Sequence, residues 1–410
     1  MPKQRIGIMG GSFNPIHERH LELAICAMKE QKLDRVIFLP TGNPPHKREG
    51  LEDAEHRFEM TRLCMIGLPK CSASRMEIDR EGVIYTVDTL TRMLKDSPDL
   101  DLYYIIGEDT LLDLPNWRKP DKVFTLCKFL VCRRSEDGEP DQENLSLLEQ
   151  RGARLTFLQM TPMDTSATEI RSQLASGIEP TALRPQVLEY IRIMGLYGTK
   201  TSLEHADMIY AKLKQSLSDR RLLHSVLVAA TARKLAAIHG VNENQAVLAA
   251  LLHDCAKCMP LSEMQKIAKE NRLLVDKETM QSTNLLHGPV GAVVAQRDYG
   301  IDDQNILAAI RCHTVGKVGM LPLDMIVYLS DKIEPSRRSY PALEEVRRLS
   351  GSSLIDAIRY SMESTLEYIA AQKSTIHPDT MRAAQWLGRM AAKKNAVQQN
   401  KRSEMNERTN

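Results

Sequence analysis

Two different hydrophobic periodicities divide this chain and limit what it can fold into. From residue 5 to about 197, helical patterns alternate with short apolar runs, which are RIGIMG, RVIFLP, LYYIIG, FLVC and RLTFLQ. This alternation predicts an α/β Rossmann-like domain, with a parallel sheet and helices on both faces. From residue 203 to about 375, apolar residues recur only at helical spacing, as in NQAVLAALLHDCAKC, which predicts an all-α domain. The glycines of GLYGTK place the boundary between domains 1–197 and 203–375 near Gly198.

Chain length, net charge and the composition of the first and last residues limit which classes of protein this sequence fits. A chain of 410 residues with a net charge of +2 suits a two-domain globular protein and lacks the positive field that holds a long nucleic acid. The start lacks a secretory signal and no run approaches the roughly 20 apolar residues of a membrane span, so we expect a cytoplasmic protein. Residues 385–410 have almost no apolar face, and we expect them to form a disordered tail. We therefore expect neither nucleic acid nor membrane partners, and small anionic substrates remain possible.

A glycine-rich turn in GIMGGSFNPIHERH, residues 7–20, directly follows the first predicted strand. Gly10 and Gly11 allow backbone N–H groups to approach a phosphate, and a helix is expected to begin near His17. His17 and His20 are three residues apart, so on a helix they share a face and can both donate to one phosphate chain. A glycine turn without a ligand and histidines that only cap a helix are also common, so this stretch needs support from the rest of the chain.

That support comes from motifs in a fixed order: LPTGNPPHK, HRFEM, YTVDTL, IIGEDTLLDLPNW, VCRR and TSATEIR. With the histidine pair, they make about the first 195 residues resemble the nucleotidylyltransferases of the H-x-G-H type, specifically the nicotinate-nucleotide adenylyltransferases. The resemblance implies transfer of an adenylyl group from ATP to nicotinate mononucleotide, with Mg²⁺, giving the dinucleotide precursor of NAD and pyrophosphate. Attack of one phosphate on another needs positioning and charge neutralisation more than a protein nucleophile.

The same resemblance implies roles for individual residues. The catalytic set comprises residues that would hold the triphosphate and neutralise its charge: His17, His20, Lys47, Arg133, Thr168 and Arg171. The substrate-binding set comprises residues of turns and strand ends: Gly10, Gly11, Ser12, Phe13, His46, Thr86, Gly107, Asp109 and Trp117. Thr168 and Arg171 would bind the β- and γ-phosphates at a second helix start. Trp117 and the region of Thr86 would face the nicotinate ring and its carboxylate, while Asp109 also fits a helix N-cap.

Two positions depart from the family pattern. Arg19 stands between the histidines where the family has glycine, so the motif reads H-E-R-H. A long cation beside a triphosphate would either add charge stabilisation or occupy the space left for the nucleotide. Ser166-Ala167-Thr168 replaces the common Ser-Ser-Thr, a milder change. Arg19 therefore leaves two hypotheses open: an active adenylyltransferase, or a nucleotide-sensing module with weak transferase activity.

In the helical half, histidines and aspartates recur in the order H…HD…H…H…D. The six residues are His224, His253, Asp254, His287, His313 and Asp331. Imidazole and carboxylate ligands spread over several helices suit iron, manganese or a similar cation. Because adjacent helix residues diverge by about 100°, we expect Asp254 to bridge two ions while His253 binds one. Two ions roughly 3.5–4 Å apart would clamp a phosphate and lower the pKa of a bridging water.

This order, and the contexts HSVLVA, LLHDCAK, LLHGPVGA, HTVGKVGM and DKIEPSRR, resemble the HD-domain phosphohydrolases, specifically bacterial hydrolases of diadenosine tetraphosphate. The resemblance covers roughly residues 203–370. It implies a di-iron centre, with manganese as the alternative, held by the six residues, and symmetrical cleavage of the substrate into two ADP. Arg221, Lys257 and Arg338 would contact the polyphosphate or are solvated helix charges. Glu334 would support a metal ligand.

The two resemblances together predict a bifunctional cytoplasmic enzyme, an adenylyltransferase of NAD biosynthesis fused to a dinucleoside polyphosphate hydrolase. Its expected small-molecule partners are ATP, nicotinate mononucleotide and diadenosine tetraphosphate. The alternative hypotheses are that the HD domain acts on another nucleotide, or that the first domain senses nucleotides and controls the second. Analysis of reaction products separates the first alternative, and ATP binding without turnover would indicate the second.

Overall fold

The structure, a computed structural model, describes residues 3–42, 50–132, 142–159, 165–199, 203–372 and 376–407. The chain divides into two compact units, Met1–Ser202 and Leu203–Asn410. The strands of the first unit are β1 Gln4–Gly11, β2 Arg35–Pro40, β3 Cys71–Ala73, β4 Leu100–Gly107, β5 Lys128–Cys132 and β6 Leu155–Leu158. Its helices are α1 Glu18–Glu30, α2 Ala54–Met65, α3 Thr86–Asp96, α4 Glu108–Asp113, α5 Pro120–Leu126, α6 Gln142–Gln150, α7 Ala167–Ala175 and α8 Pro185–Met194.

The six strands form one parallel sheet in the order β3-β2-β1-β4-β5-β6. β1 lies centrally, pairing with β2 on one side and β4 on the other, and the direction of winding reverses between β1 and β4. In open parallel sheets, ligands bind beyond the carboxyl ends of the strands at such a reversal. The strand ends at this point are Gly10–Gly11 and Gly107, which places the glycine turn where a nucleotide would bind.

The predicted strands and the α/β class are confirmed, because buried β-branched and aromatic side chains make these runs favourable only inside a sheet. Ile6, Ile8, Phe38 and Phe129 are all fully buried. The sequence analysis missed β3, which spans three residues at one edge of the sheet and has no buried side chain. An edge strand this short carries no periodicity that a sequence pattern could reveal.

Helices are the only regular elements among the described residues of the second unit, as predicted. Its helices are α9 Ala206–Ser216, α10 Asp219–His239, α11 Glu243–Leu252, α12 Leu261–Glu270, α13 Lys277–Met280, α14 Thr283–Tyr299, α15 Gln304–Cys312, α16 Pro322–Ile333, α17 Leu343–Ser350, α18 Leu354–Ala371 and α19 Pro378–Glu407. α10 is buried along most of its length and packs against α11 and α16. Among the described residues of both units, no helix is long and apolar enough to cross a membrane.

The C-terminal segment differs from the expected disordered tail. The structure continues α19 from Pro378 to Glu407, so residues 385–407 are helical. Ala383, Leu387 and Ala391 are buried and recur every four residues, which gives this helix an apolar stripe where it packs against α18. The stripe begins before residue 385 and two of its three residues are alanines, so residues 385–410 carry little apolar pattern of their own. The residues that follow include Ala, Gln, Lys and Glu, which favour helix and allow it to continue.

Candidate active site and candidate metal centre

The turn after β1 is shaped by a close contact between Gly10 and Tyr104 on β4. A Cβ atom at Gly10 would lie 2.2 Å from the Tyr104 hydroxyl oxygen, so a side chain at this position is excluded. Tyr104 is buried, which raises its pKa, and its hydroxyl is hydrogen-bonded to Thr86, the first residue of α3. Gly10 is therefore required for packing between β1 and β4 as well as for any approach of a phosphate.

We expect Gly10→Ala to lower the free energy of unfolding of the first unit by about 1–3 kcal/mol, because a new methyl group is forced into a packed site. Tyr104→Phe in the same chain removes the clashing oxygen and should recover most of this loss. Gly107→Ala is the matched control, since its added Cβ meets nothing within 4 Å and its φ is −83°. Urea unfolding followed by Trp117 fluorescence in a Trp386→Phe background measures all three; equal destabilisation by Gly10→Ala and Gly107→Ala would contradict the clash.

His17 and His20 lie together at the start of α1. His17 is the N-cap residue, its backbone N–H donates to His20 Nδ1 at 3.2 Å, and the two ring centroids are 3.9 Å apart. Because His20 Nδ1 accepts this bond, the proton of its neutral ring is on Nε2, which is then a donor. His17 Nδ1 is buried and has no hydrogen-bond partner among the described residues. The pair therefore offers imidazole groups whose hydrogen-bonding capacity the protein itself does not fully use.

Both imidazoles are held in the neutral form. Burial, and then the charge of Arg19, lower the pKa of His17 to about 4. Burial, the neighbouring His17 and Arg19 also lower the pKa of His20. Near neutral pH the two rings therefore act as N–H donors, and Arg19 supplies the positive charge at this helix start.

Replacing Arg19 by glycine, the residue that the family has here, should raise the pKa of His17 above 4 without restoring it to 6.5. The positive charge disfavours protonation of the ring, so its removal favours it, while burial, the larger cause, remains. A pH titration of the imidazole resonances by NMR gives the value. Arg19→Lys keeps the charge and should leave the pKa close to that of the unsubstituted protein. An unchanged pKa in Arg19→Gly would show that Arg19 does not act on this ring.

Arg171 and Thr168, the residues predicted at a second helix start, lie together and reach the same turn. Arg171 on α7 donates from Nη1 to the backbone oxygen of Asn14 at 2.7 Å and from Nη2 to Thr168 Oγ1 at 3.1 Å. The side chain of Asn14 is in turn fixed by the hydroxyl of Tyr197, which donates to Asn14 Oδ1 at 2.8 Å. The structure thus brings residues 14–20 and 168–171 into one site, although they are about 150 positions apart.

Arg57 is a residue of this site to which the sequence analysis gave no role. It is buried and donates to backbone oxygens in three separate segments: Ser12 at 2.8 Å, Thr41 at 2.7 Å with Gly42 at 3.3 Å, and Glu52 at 2.9 Å. Its guanidinium therefore ties the turns after β1 and β2 to the start of α2. The motif HRFEM contained this arginine, but backbone carbonyl partners leave no trace in a sequence.

Trp117 and Thr86, the residues assigned to the nicotinate ring, lie next to Tyr104 on β4, which pairs with β1 on the side away from β2. Trp117 is half-buried and packs edge-on against Tyr104, with ring centroids 5.7 Å apart, and against Phe129 at 6.4 Å. Its indole therefore belongs partly to the core, next to the Tyr104 hydroxyl that meets Thr86. Asp109 is in the first turn of α4, which follows Gly107 at the end of β4. The predicted residues His46, Lys47 and Arg133 lie outside the described residues.

In the second unit, three histidines are fixed in one tautomer by the backbone. The Nδ1–H groups donate to carbonyl oxygens three or four residues earlier: His253 to Ala250 at 2.6 Å, His287 to Thr283 at 3.0 Å and His313 to Ile310 at 2.7 Å. A carbonyl only accepts, so each Nδ1 carries the proton and each Nε2 presents a lone pair. Such a bond at the other ring nitrogen is typical of metal-binding histidines.

The Nε2 atoms gather around one carboxylate. Two groups of potential ligand atoms, each within 4.8 Å of one another, share Asp254; one contains His224 and His253, the other His287 and His313. All of these residues are buried. Asp254 is therefore the residue that the two groups share, and its role as a bridging ligand stays a prediction.

Some nitrogen atoms of these groups lack a favourable partner within the protein, and a bound cation would supply one. His253 Nε2 is buried without a hydrogen-bond partner among the described residues, and His287 Nε2 faces His313 Nε2 at 3.0 Å. Two nitrogen lone pairs this close repel each other unless a positive charge lies beside them. His287 Nε2 is also 3.1 Å from Asp254 Oδ1. The donor set, neutral imidazole with carboxylate, is one that divalent iron, manganese and zinc all accept.

Asp331 lies beside the first group, in contact with His224, and Glu334 contacts the other nitrogen of the same ring. His224 Nε2 is 3.0 Å from Asp331 Oδ1, and its Nδ1 is 3.0 Å from Glu334 Oε1. Burial lowers the pKa of His224, but its bonds to the two carboxylates outweigh burial and raise it. Glu334 thus orients the His224 ring through Nδ1, the nitrogen that does not face Asp331, as expected of a residue that supports a metal ligand.

Of the three cations assigned to the polyphosphate, two lie at these groups. Arg221 Nη1 donates to Asp254 Oδ2 at 2.8 Å, and Lys257 Nζ is 3.4 Å from the ring nitrogens of His287. Arg338 is exposed, and its side chain forms no hydrogen bond or ion pair with a described residue. Its neighbour Arg337 instead forms an ion pair with Asp331 and lies 3.4 Å from His224 Nε2. The sequence pattern SRR could not distinguish which of two adjacent arginines would face inward.

Comparisons with known proteins match both units. The cytidylyltransferase-like family matches residues 8–173, and the HD domain matches residues 221–336. A Mycoplasma genitalium protein named "Probable nicotinate-nucleotide adenylyltransferase/Ap4A hydrolase" is 29% identical over 336 residues, covering 82% of this chain and 89% of that protein. A Moorella thermoacetica protein named "Probable nicotinate-nucleotide adenylyltransferase" is 37% identical over 198 residues, covering 47% of this chain and 91% of that protein.

Among solved structures, one from Clostridium acetobutylicum is described as a "predicted HD superfamily hydrolase involved in NAD metabolism". It is 32% identical, covers 45% of this chain and 98% of that chain, and has a TM-score of 0.44. The first sequence relative therefore matches most of this chain, and the second matches a little less than half of it.

Proposed function

Because the chain belongs through its first unit to the nicotinate-nucleotide adenylyltransferase family and carries an HD domain in its second, we propose that it is a bifunctional enzyme. The first unit transfers an adenylyl group from ATP to nicotinate mononucleotide, releasing pyrophosphate. The second unit hydrolyses diadenosine tetraphosphate to two ADP, as the name of the two-unit relative suggests. The observation that carries the hydrolase half is a buried carboxylate, Asp254, shared by two groups of histidine ligands.

In the first reaction, a phosphate oxygen of nicotinate mononucleotide attacks the α-phosphorus of ATP, and the bond from that phosphorus to the bridging oxygen of pyrophosphate breaks. The neutral rings of His17 and His20 donate hydrogen bonds to phosphate oxygens, where negative charge moves during the step. Arg171, oriented by Thr168 and by the Asn14 carbonyl, binds the departing phosphates. Mg²⁺ bound with ATP would neutralise further charge. Lys47 and Arg133 are proposed to add to this neutralisation.

In the second reaction, water attacks one of the two central phosphorus atoms of the tetraphosphate chain, and the bond from that phosphorus to the central bridging oxygen breaks, which leaves two ADP. Asp254 and Asp331, with His224, His253, His287 and His313, would hold the metal pair. When bound, such a pair polarises phosphate oxygens and lowers the pKa of water. Arg221 and Lys257 lie at the edge of the two groups. When metal ions neutralise the carboxylates, the positive charges of these two side chains are available to bind phosphate oxygens. Iron is the proposed metal, with manganese as the alternative, because the donor set accepts both.

The test is analysis of reaction products from the full chain. Protein loaded with iron or manganese is incubated with diadenosine tetraphosphate, and separately with ATP and nicotinate mononucleotide, and products are separated by ion exchange. ADP alone in the first mixture, with nicotinate adenine dinucleotide and pyrophosphate in the second, is the expected result. AMP with ATP, or no turnover, would overturn the symmetrical hydrolase. ATP binding without dinucleotide formation would overturn the transferase in favour of nucleotide sensing.

A further inference from the structure

We propose that a cavity in the second unit, adjoining the metal centre, binds one nucleoside phosphate half of the hydrolase substrate. The cavity has a volume of about 640 Å³ and is walled by segments 272–279, 308–317 and 377–382. Its volume lies within the range of about 300–1,000 Å³ that is usual for sites of small organic ligands. This inference rests on the proposed hydrolase function, because it assigns a place to the part of the substrate that the metal ligands do not touch.

The cavity meets the metal centre at Thr314. This residue lines the cavity, and its Oγ1 lies 3.2 Å from His313 Nε2 and 3.5 Å from His287 Nε2. Thr314 is therefore the residue through which the cavity adjoins the second ligand group.

The charges of the lining favour an anion. It contains four cationic side chains, Arg272, Arg311, Lys317 and Arg382, and the carboxylates of Asp276 and Asp379. Most of these are already paired within the described residues: Lys317 Nζ with Asp324 at 2.8 Å, Arg382 with Asp379, and Asp276 with His377 at 2.9 Å. The side chains of Arg272 and Arg311, both exposed, form no hydrogen bond or ion pair with a described residue. Two unpaired guanidinium groups in one cavity are suited to phosphate oxygens.

The backbone at Arg272 supports a binding role for this side chain. α12 is capped at its C-terminus by Asn271, and Arg272 follows with φ of +51°, in the left-handed region. Glycine is the usual residue at that position after a helix, because a Cβ is unfavourable there. An arginine in this unfavourable backbone conformation, on the wall of a cavity, is a strained position of the kind that clusters at ligand sites.

The remaining wall suits a base and ribose. Leu273, Val275, Leu285, Pro289 and Ala308 line the cavity with aliphatic surface, and Leu274 at its rim is fully exposed to solvent. Within the lining the only aromatic ring is the imidazole of His377, which is engaged with Asp276 and Thr279. A purine would therefore pack against aliphatic side chains and the flat face of an arginine guanidinium. A cavity with an apolar wall and free cations matches a nucleoside phosphate better than inorganic polyphosphate.

The experiment compares KM and kcat for diadenosine tetraphosphate in manganese-loaded full-length protein. Arg272→Gln and Arg311→Gln should each raise KM about tenfold, and together about a hundredfold, because each removes a charge-assisted hydrogen bond. We expect kcat to change less than about threefold, since the metal ligands are untouched. Arg297→Gln is the matched control, an exposed arginine of the same unit outside the cavity, and should leave KM unchanged. An unchanged KM in the double variant would overturn the cavity assignment.

A protein that does not hydrolyse diadenosine tetraphosphate would overturn the proposed function instead, and the cavity is then tested by direct binding. Equilibrium dialysis with labelled ADP measures binding to the unsubstituted chain and to the double variant. Any ADP bound by the first unit is common to both proteins, so the difference reports the second unit. Weaker binding by the double variant supports the cavity as a nucleoside phosphate site, and equal binding overturns it.

Discussion

Replacing Asp254 by alanine is expected to abolish diadenosine tetraphosphate hydrolysis, with kcat falling at least about 1,000-fold, which corresponds to about 4 kcal/mol in the activation barrier. Asp254 is the one residue common to both groups of ligand atoms, so its loss removes a ligand from two cation sites at once. It would also leave Arg221 without its carboxylate partner and His287 without its 3.1 Å contact. Metal content by mass spectrometry should fall together with kcat.

The same variant carries its own control. Adenylyl transfer from ATP to nicotinate mononucleotide is assigned to the other unit and should stay within about twofold of the unsubstituted rate. Asp324→Asn serves as a matched substitution, because Asp324 is also a buried aspartate of this unit but pairs with Lys317 and belongs to neither group. Loss of metal in Asp324→Asn but retention in Asp254→Ala would contradict the assignment of Asp254 as a shared ligand.

The second large effect is expected at His20. His20→Ala should lower kcat for adenylyl transfer by about 100–1,000-fold, the usual result of removing one donor that stabilises transition-state charge. The reason is that His20 Nδ1 already accepts the backbone N–H of His17, which leaves Nε2–H as a donor of fixed tautomer. Initial rates of pyrophosphate release measure the effect.

His20→Gln separates donation from packing. The amide nitrogen of glutamine can occupy a position near that of Nε2, so this variant should recover part of kcat, whereas alanine cannot. Hydrolysis of diadenosine tetraphosphate by the second unit should be unaffected in both variants. If His20→Ala keeps its full transferase rate, the histidine pair has a structural role and the sensing hypothesis raised by Arg19 gains support.

The fold followed largely from local patterns. Buried runs such as RIGIMG and RVIFLP are favourable only as internal strands, and the change to helical spacing after residue 203 is equally local. The predictions were wrong where the hydrophobic pattern was weak or was formed by small residues. β3 has three residues at a sheet edge, and the stripe of α19 is formed by Ala383, Leu387 and Ala391.

The sequence by itself determined the chemistry available at each site: two histidines after a glycine turn, and six imidazole and carboxylate ligands in a set order along the helices. Only the tertiary structure decided how these groups meet. It places Arg171 against the Asn14 carbonyl, and through Arg57 it ties the turns after β1 and β2 to the start of α2. It also places Asp254 where two groups of ligand atoms share its carboxylate. These outcomes depend on contacts between distant segments and on backbone carbonyls, which every residue possesses. Residue identity therefore specifies which atoms can react, while packing specifies which of them share a site.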